Sequence, residues 1–591
     1  MKKFFTVFLG SMAALWLSLL IVTVGLIIVF AAAAGSSSAE KQVSVKKHSY
    51  LTLNLSDPID DRDGQFSPIE FVRGNKEIST GLGTVVASIE AAADDDNIDG
   101  IVIEGSSLGL GLAQLQAVGE ALAKFKEKAP DKWIYAYGET VNLSEYYLSS
   151  YADSIYLNPS GMVDVHGIGQ GVMFFKDFLD KLGVEVQVMK VGTYKSAVEP
   201  FILNSMSEPA REQARLYLDN MWGYLARTIA KGRNVPVDSV NAWAESYLAT
   251  ISPERYIDMK VVDGLMYRHE FDEKLVALTD VKKVDDLRGV TPRAYAKGRD
   301  LLKKGSGKGA KIGILYACGD ITDEEGEGIV AAKLVPEILD LAEDDDLDGL
   351  IMYVNSPGGS AYASEQIWEA LQQWKKITGK PLYVSMSDYA ASGGYYISCG
   401  ADKIFAQPTT LTGSIGIFGM IPNAQPLMNK LGIHVSTVSS AKTPQSLTLL
   451  EPMSPGLRNA MQTYVERGYD LFTRRCAEGR GMSQDSIKAI AEGRVWDGAE
   501  ALRIGLVDEL GGLDKAIAAM AQELNVETWT ISEYPDKNDK WYDELIKATS
   551  EMKASWVRDE LGEMAPVYDR LNSIRRMSVL QARSEIYEIQ Y

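Results

Sequence analysis

The stretch from Gly100 to Gly183 can be laid on the stretch from Gly349 to Gly432 at one constant shift of 249 residues, 349 − 100. IDGIVI at 98–103 then faces LDGLIM at 347–352, YYLSSYAD at 146–153 faces YYISCGAD at 395–402, and DKLGVEV at 180–186 faces NKLGIHV at 429–435. YIDMKVVDGL near Asp263 likewise resembles RIGLVDEL near Asp508. Two copies of one domain explain a register held over such a length. In the first copy β-rich runs alternate with helical ones: GIVIEG, LAQLQAVGEALAKFKEKA, WIYAYG, a helical YYLSSYAD, then SIYLNP. That alternation predicts α/β units.

The chain has 591 residues, 46% of them apolar, which is ample for several large cores. Its net charge of −20 argues against broad nucleic-acid binding, because phosphate affinity needs clustered Lys and Arg. Cys318, Cys399 and Cys476 lie far apart without CxxC spacing, so neither a zinc site nor a disulfide framework is expected. No charge stands between Lys3 and Glu40, and 4–34 is almost wholly apolar, long enough to cross a bilayer as a helix. A cleaved secretory signal has a shorter apolar run, so an uncleaved anchor is expected, although AAAAG at 31–35 leaves processing open. Lys2 and Lys3 keep the N-terminus in the cytoplasm by the positive-inside tendency, with everything after Gly35 exported.

The expected division is therefore 1–48 for tip, transmembrane anchor and stalk, 49–288 for the first repeat, 289–311 for a Lys- and Gly-rich linker, and 312–520 for the second repeat. Residues 521–591 form a C-terminal extension, where apolar residues at helical spacing predict two or three amphipathic helices around Pro566.

Chemistry gathers at SDYAASGGYYISCGAD, 387–402, where Ala390, Ala391, Gly393 and Gly394 flank Ser392. Small neighbours let the backbone turn sharply and bring an N–H close to a reacting carbonyl, a setting that suits a serine nucleophile. Upstream, GLIMYVNSPGGS ends in Gly358 and Gly359, which offer a second donor to the same oxygen. An isolated SGG is a tight turn in most proteins, so the pair of motifs carries the reading.

The differences between the copies sharpen it. At the same shift Ser392 faces Leu143, Gly359 faces Leu110 and Ser414 of TGSIG faces Val165, while Lys195 of VGTYKSAVEPF faces Pro444. The first copy lacks the nucleophile and the second lacks the lysine, which suggests one composite site shared across the repeats. Serine needs a proton acceptor. None of the four histidines, His48, His166, His269 and His434, stands in a suggestive setting, so a Ser-Lys arrangement fits better than a Ser-His-Asp triad. The Asp94–Asp96 and Asp344–Asp346 triplets recur before a strand in both copies and read as solvated loops rather than a calcium site. Tyr395 and Tyr396 read as core packing.

Together, DYAASGGYY, NSPGGS, TGSIG and YKSAVEPF closely resemble bacterial signal peptide peptidase A, also called protease IV, in its long double-repeat form. The resemblance runs from the anchor to about Leu513 and implies tandem ClpP/crotonase-like repeats of spiral ββα units after the transmembrane helix. It implies Ser392 as nucleophile, Lys195 as general base from the other repeat, and Ser414 as the residue orienting the lysine. The N–H groups of Gly359 and Gly393 would form the oxyanion hole, with no cofactor or metal. It further implies a homotetramer on the cytoplasmic (inner) membrane, N-terminus inside and catalytic domain in the periplasm, cleaving hydrophobic peptides such as released signal peptides. The rivals are a crotonase-type acyl-CoA enzyme, disfavoured in an exported compartment, and a scaffold of decayed repeats, which would not retain one useful group in each copy.

Overall fold

A computed structural model of the chain describes residues 45–64, 78–106, 108–299, 301, 309–326, 328–438, 440, 449–536, 580–584 and 589–590. The expected membrane span and most of the expected C-terminal helices lie outside the described residues. Among the described residues, no helix is long and apolar enough to cross a membrane.

Each repeat builds a sheet with a parallel centre whose strands are buried on both faces, as near-continuous apolar runs require. In the first repeat the order is Gly289–Val290, Ser49–Asn54, Ile98–Glu104, Trp133–Val141, Ser154–Val163, Gly264–Leu265. In the second it is Val495–Asp497, Leu411–Gly413, Leu382–Ala391, Leu347–Ser356, Ala310–Cys318, Trp529–Tyr534, with Lys403–Ala406 branching from Leu382–Ala391. Strands Ile98–Glu104 and Leu347–Ser356 begin 249 residues apart, as do Trp133–Val141 and Leu382–Ala391, and helices Leu112–Lys128 and Ala361–Thr378. Helices Glu208–Arg233 and Pro455–Arg480 each have 26 residues and start alike: Ser207 accepts from Ala210 N–H, Ser454 from Leu457 N–H, and a proline fills the first turn.

The copies also repeat their buried polar contacts. Tyr146 Oη donates to the Val261 carbonyl at 2.7 Å, and Tyr395 Oη to the Leu506 carbonyl at 2.9 Å. Arg233 makes a two-pronged pair with Asp263 at 2.9 and 3.0 Å, and Arg480 with Asp508 at 2.5 and 2.9 Å. Each aspartate also accepts a strand N–H at 2.8 Å, from Ile155 and Ile404 respectively. The pair thus ties the long helix to the sheet. Only 6% of the Arg480 side chain is exposed, against 33% for Asp508. Arg480→Leu is therefore expected to cost about 2–3 kcal/mol, below the full penalty of a deeply buried broken pair because water still reaches the carboxylate. Chemical denaturation of the variant would measure it, and an unchanged midpoint would remove this tie from the account.

Part of the expected linker is built into the first repeat. Gly289–Val290 pairs with Tyr50 and Leu51, and helix Pro292–Gly298 buries Tyr295 in the first core. Beyond residue 520, Trp529–Tyr534 adds a strand alongside Ala310–Leu315. A third sheet joins the copies, in the order Ile329–Val330, Ile321–Thr322, Gly358–Ser360, Gln581–Arg583, Ile417–Asn423, Glu185–Val191. Glu185–Val191 of the first repeat pairs antiparallel with Ile417–Asn423 of the second along its whole length. Leu179, Ala197, Val198 and Phe201 pack there against Phe418 and Met420. That small core delivers the segment after Val191 to the end of the second repeat's sheet.

Candidate active site

Ser392 lies between strand Leu382–Ala391 and helix Gly393–Ser398, fully buried, with φ 54° and ψ −109°. A non-glycine residue rarely holds a positive φ, and the surroundings must enforce it. Here Ser392 N–H donates to the Gly413 carbonyl at 2.8 Å. Next in chain, Ser414 also has positive φ, 49°, and its N–H donates to the Arg494 carbonyl at 2.7 Å. Two strand ends are thereby turned inward at one point.

The first repeat supplies the third side chain. Tyr194 N–H donates to the Glu492 carbonyl at 2.9 Å and Thr193 N–H to the Glu492 carboxylate at 3.0 Å. From helix Glu208–Arg233, Gln213 Nε2 donates to the Tyr194 carbonyl at 3.0 Å and to Ser196 Oγ at 3.3 Å, while its Oε1 accepts from Val495 N–H at 3.1 Å. Gly493 has φ 76°, and a Cβ there would stand 2.7 Å from Lys195 Cβ, so only glycine lets the lysine backbone pass. Lys195 Nζ then lies 2.7 Å from Ser392 Oγ and 3.1 Å from both the hydroxyl and the carbonyl of Ser414. All three residues are buried, Lys195 at 1% exposure. Glu199, four residues on, is occupied by Ser207, whose N–H and hydroxyl donate to it at 3.0 and 2.6 Å.

Gly393 follows Ser392 directly, and the Gly358–Ser360 strand passes close beside it. Gly358 has φ 100°, and a Cβ on it would lie 2.6 Å from Gly393 N. The structure therefore brings the five expected residues to one place. In the first copy the facing positions Leu110, Leu143 and Val165 are buried members of the core, so apolar side chains fill the equivalent space. Pro444 lies outside the described residues. The histidines are engaged elsewhere: His48 with Asp99 at 3.1 Å, His434 with Asn429 at 3.1 Å, His166 with the Gly167 carbonyl at 3.0 Å, and His269 stacked on Tyr267. Of the triplets, Asp95 is held by Tyr295 and Arg299, and Asp344 by Lys311. Tyr396 stacks on Phe472 with ring centroids 4.3 Å apart.

Sequence reasoning missed Gln213, Gly493 and Asp388. No local pattern marks the first two, because their partners lie some 280 residues away or on a different element. Asp388 sits in the quoted motif, four residues before Ser392, yet its role is tertiary. Its carboxylate accepts from Ala113 N–H at 2.9 Å and Gln114 N–H at 3.4 Å at the start of helix Leu112–Lys128, clasping strand Leu382–Ala391 to the first repeat. Burial first, then the neighbouring Asp61 carboxylate, push Asp388 up to about 7, against those donated N–H bonds.

A folded-state value above the unfolded one means the native protein binds this proton more tightly. The group's contribution to stability is then present below about pH 4, falls as pH rises, and is gone above about 7, a swing of about 4 kcal/mol at most. Asp388→Asn keeps an acceptor and removes the titration. The stability of the native chain relative to this variant is therefore expected to decline between pH 4 and 7 and level off above, in melting curves of both. A difference independent of pH would contradict the buried-acid account.

The profile of Peptidase family S49 matches residues 126–282 and 375–527, so one match contains Lys195 and the other Ser392. A Clp protease profile matches residues 314–412. Among curated proteins, Protease 4 of Haemophilus influenzae is 34% identical over 562 residues, covering 90% of this chain and 89% of that protein. Protease 4 of Salmonella typhi is 35% identical over 466 residues, 77% of this chain and 74% of its own length. The chloroplastic serine protease SPPA of Arabidopsis thaliana is 29% identical over 489 residues, 82% of this chain and 70% of that protein.

Proposed function

The chain belongs to peptidase family S49, as a serine endopeptidase of the double-repeat signal peptide peptidase A (protease IV) type, and from that premise we propose that it works through a Ser392–Lys195 dyad on hydrophobic peptides at the outer face of the cytoplasmic membrane. The observation that carries the dyad is the 2.7 Å approach of Lys195 Nζ to Ser392 Oγ in a buried pocket. Burial penalises the ammonium form, and a neutral amine is what a base needs. In this reading Lys195 takes the hydroxyl proton as Ser392 attacks the scissile carbonyl, then returns it to the leaving amine. Ser414 holds the amine on line. Gly359 and Gly393 N–H groups receive the negative oxygen of the tetrahedral intermediate.

Support for substrates with apolar side chains comes from the recess beside Lys195 and Ser414, where Val172, Phe174, Pro200, Met206, Ala214 and Val495 stand beside the polar Gln170, Glu199 and Gln213. Support for the membrane anchor is the uncharged apolar stretch 4–34. For the proposed homotetramer, the repeat itself offers a contact between chains. Shifting Glu185–Val191 and Ile417–Asn423 by 249 gives 434–440 and 168–174, and residues 434–438 are exposed, which suits the same pairing between neighbouring chains. A monomeric mass in native conditions would remove that part, and extraction by alkaline wash would remove the anchor.

The test of the dyad is reaction of the detergent-solubilised chain with a serine-directed acylating inhibitor, followed by peptide mapping. The expected adduct is at Ser392, formed faster as pH rises and the amine loses its proton. An adduct on another serine would overturn the assignment.

A further inference from the structure

We propose that the contact between the two repeats holds a second binding site, one for an apolar molecule carrying an amino group. Among the described residues a cavity of about 720 Å³ lies there, inside the range of about 300–1,000 Å³ usual for a small-molecule site. Its floor is one face of the second repeat's sheet. Tyr353, Ser385 and Phe405 stand in register on neighbouring parallel strands and so share that face. Helix Leu513–Glu523 covers the face around Tyr383 and Phe405 through Ala516 and Met520. It leaves Tyr353, Ser385, Ser387 and Gln407 open to the cavity. The walls are apolar and come from both repeats: Leu82, Val86 and Ala117 on helices Leu82–Asp94 and Leu112–Lys128 of the first, Leu513, Ile517 and Trp529 of the second.

Two buried polar groups point to an occupant. Ser385 is 1% exposed and Gln407 2%, yet Ser385 Oγ and Gln407 Oε1 have no hydrogen-bond partner among the described residues. Buried polar atoms left bare cost free energy, and native structures rarely keep them so. Water alone satisfies both atoms but leaves Leu82, Val86, Leu513, Ile517 and Trp529 wetted, which the hydrophobic effect opposes. A molecule with an apolar body and a polar head answers both surfaces.

Charge selects the head. Gln407 Oε1 can only accept, so the occupant must donate. Gln407 Nε2 donates to Glu120 Oε2 at 3.2 Å, which sets that carboxylate close to the open oxygen. Glu120 also accepts from the Gln116 amide at 2.9 Å, and Asp61 from Gln114 Nε2 and Tyr353 Oη, each at 2.7 Å. Among the described residues neither carboxylate is paired with a basic side chain. The two lysines on the cavity are engaged: Lys124 between Glu90 and Asp514 at 3.1 and 2.5 Å, and Lys515 with the Leu510 carbonyl at 2.6 Å. Asp61, Glu90, Glu120 and Asp514 thus outnumber the ammonium groups, and a cationic donor suits the lining where an anion does not. An ammonium head between Gln407 Oε1 and Glu120 meets the bare acceptor and the unpaired charge together.

This site is separate from the catalytic one. It shares no lining residue with the recess beside Lys195, and Ser385 precedes Ser392 by seven residues, roughly 20 Å of strand. Because both repeats wall it, an occupant holds them together and stabilises the folded chain.

The experiment titrates the detergent-solubilised full chain, as Ser392→Ala so that nothing is cleaved, with 4-phenylbutylamine and with its uncharged analogue 4-phenylbutanol, by calorimetry and by melting. Leucyl-leucyl-phenylalanine amide and its N-acetylated form, run beside them, tell the amino end of a peptide from a free amine. Saturable binding of the amine with a rise in melting temperature is expected, and the alcohol should bind at least about tenfold more weakly. Gln407→Leu and Glu120→Gln should each weaken the amine by at least about tenfold, and Ala87→Phe, which fills the cavity from its helix wall, should abolish binding. If the tripeptide amide also binds and its acetylated form does not, the ligands include peptide amino ends; if only phenylbutylamine binds, they are small amines. No saturable binding would mean a water-filled cavity and overturn the proposal. Equal binding of amine and alcohol would overturn the choice of head, and binding untouched by Gln407→Leu and Ala87→Phe would place the amine elsewhere and overturn the site. None of these results depends on which residue is the nucleophile.

Discussion

Replacing Lys195 by alanine is expected to lower kcat on the order of 10³–10⁶-fold while leaving KM within a few-fold, because it removes a group acting on the reacting proton and not on the bound peptide. The lysine stem is packed along the Gly493 and Gly416 backbones and its amine touches two hydroxyls and one carbonyl, so nothing else among these contacts can accept a proton in its place. Ser392→Ala should fall as far, and the double variant no further, since groups that act as one unit are not additive. Lys195→Arg separates chemistry from charge and bulk: its guanidinium stays protonated, so activity should remain lost even where the fold is kept. Steady-state rates with one apolar peptide across the native chain and these four variants decide the matter. Near-native kcat in Lys195→Ala would send the search for the base elsewhere, and the engaged histidines give it no obvious place to go.

The site was legible in the sequence where a comparison between the copies existed. Leu143 against Ser392, Leu110 against Gly359 and Val165 against Ser414 name the lost half, and each of those three now lies in the first core. Local composition also foretold the strands that begin in WIYAYG at 133–138 and SIYLNP at 154–159 and the helix in YYLSSYAD between them, because apolar runs and small residues act over a few positions. Long-range pairing was not legible. EVQVMKV at 185–191 alternates like any half-buried strand, and nothing in it says that its partner is Ile417–Asn423 of the other repeat. QAR at 581–583 is too short to announce a strand at all, and its pairing depends on an open slot between two distant strands. The Lys- and Gly-rich stretch from 289 reads as a linker by composition, yet Val290 and Tyr295 find apolar partners in the first core and are drawn into it. Asp388 is of the same kind: a carboxylate's burial is decided by what folds over it.

Gly358→Ala is the second large effect. At φ 100° any side chain is strained, and the native backbone conformation is expected to cost about 1–3 kcal/mol with alanine in it. Strain alone would leave the chemistry intact. The added methyl, however, would sit 2.6 Å from Gly393 N and 3.0 Å from the Ala391 carbonyl, inside the space where, on the proposed mechanism, the oxyanion meets its donors. Losing one such donor typically costs 10²–10³-fold in kcat, and a carbon atom standing between the pair obstructs both, so a fall of at least about 10²-fold is expected. Gly379→Ala provides the control for strain: it also has positive φ, 63°, but a Cβ there meets nothing within 4 Å and it caps helix Ala361–Thr378 away from Ser392. Both variants should melt below the native chain, and only Gly358→Ala should lose turnover. If the two lost activity in proportion to their stability, Gly358 would be a backbone hinge and the oxygen's second donor would have to be sought on another strand.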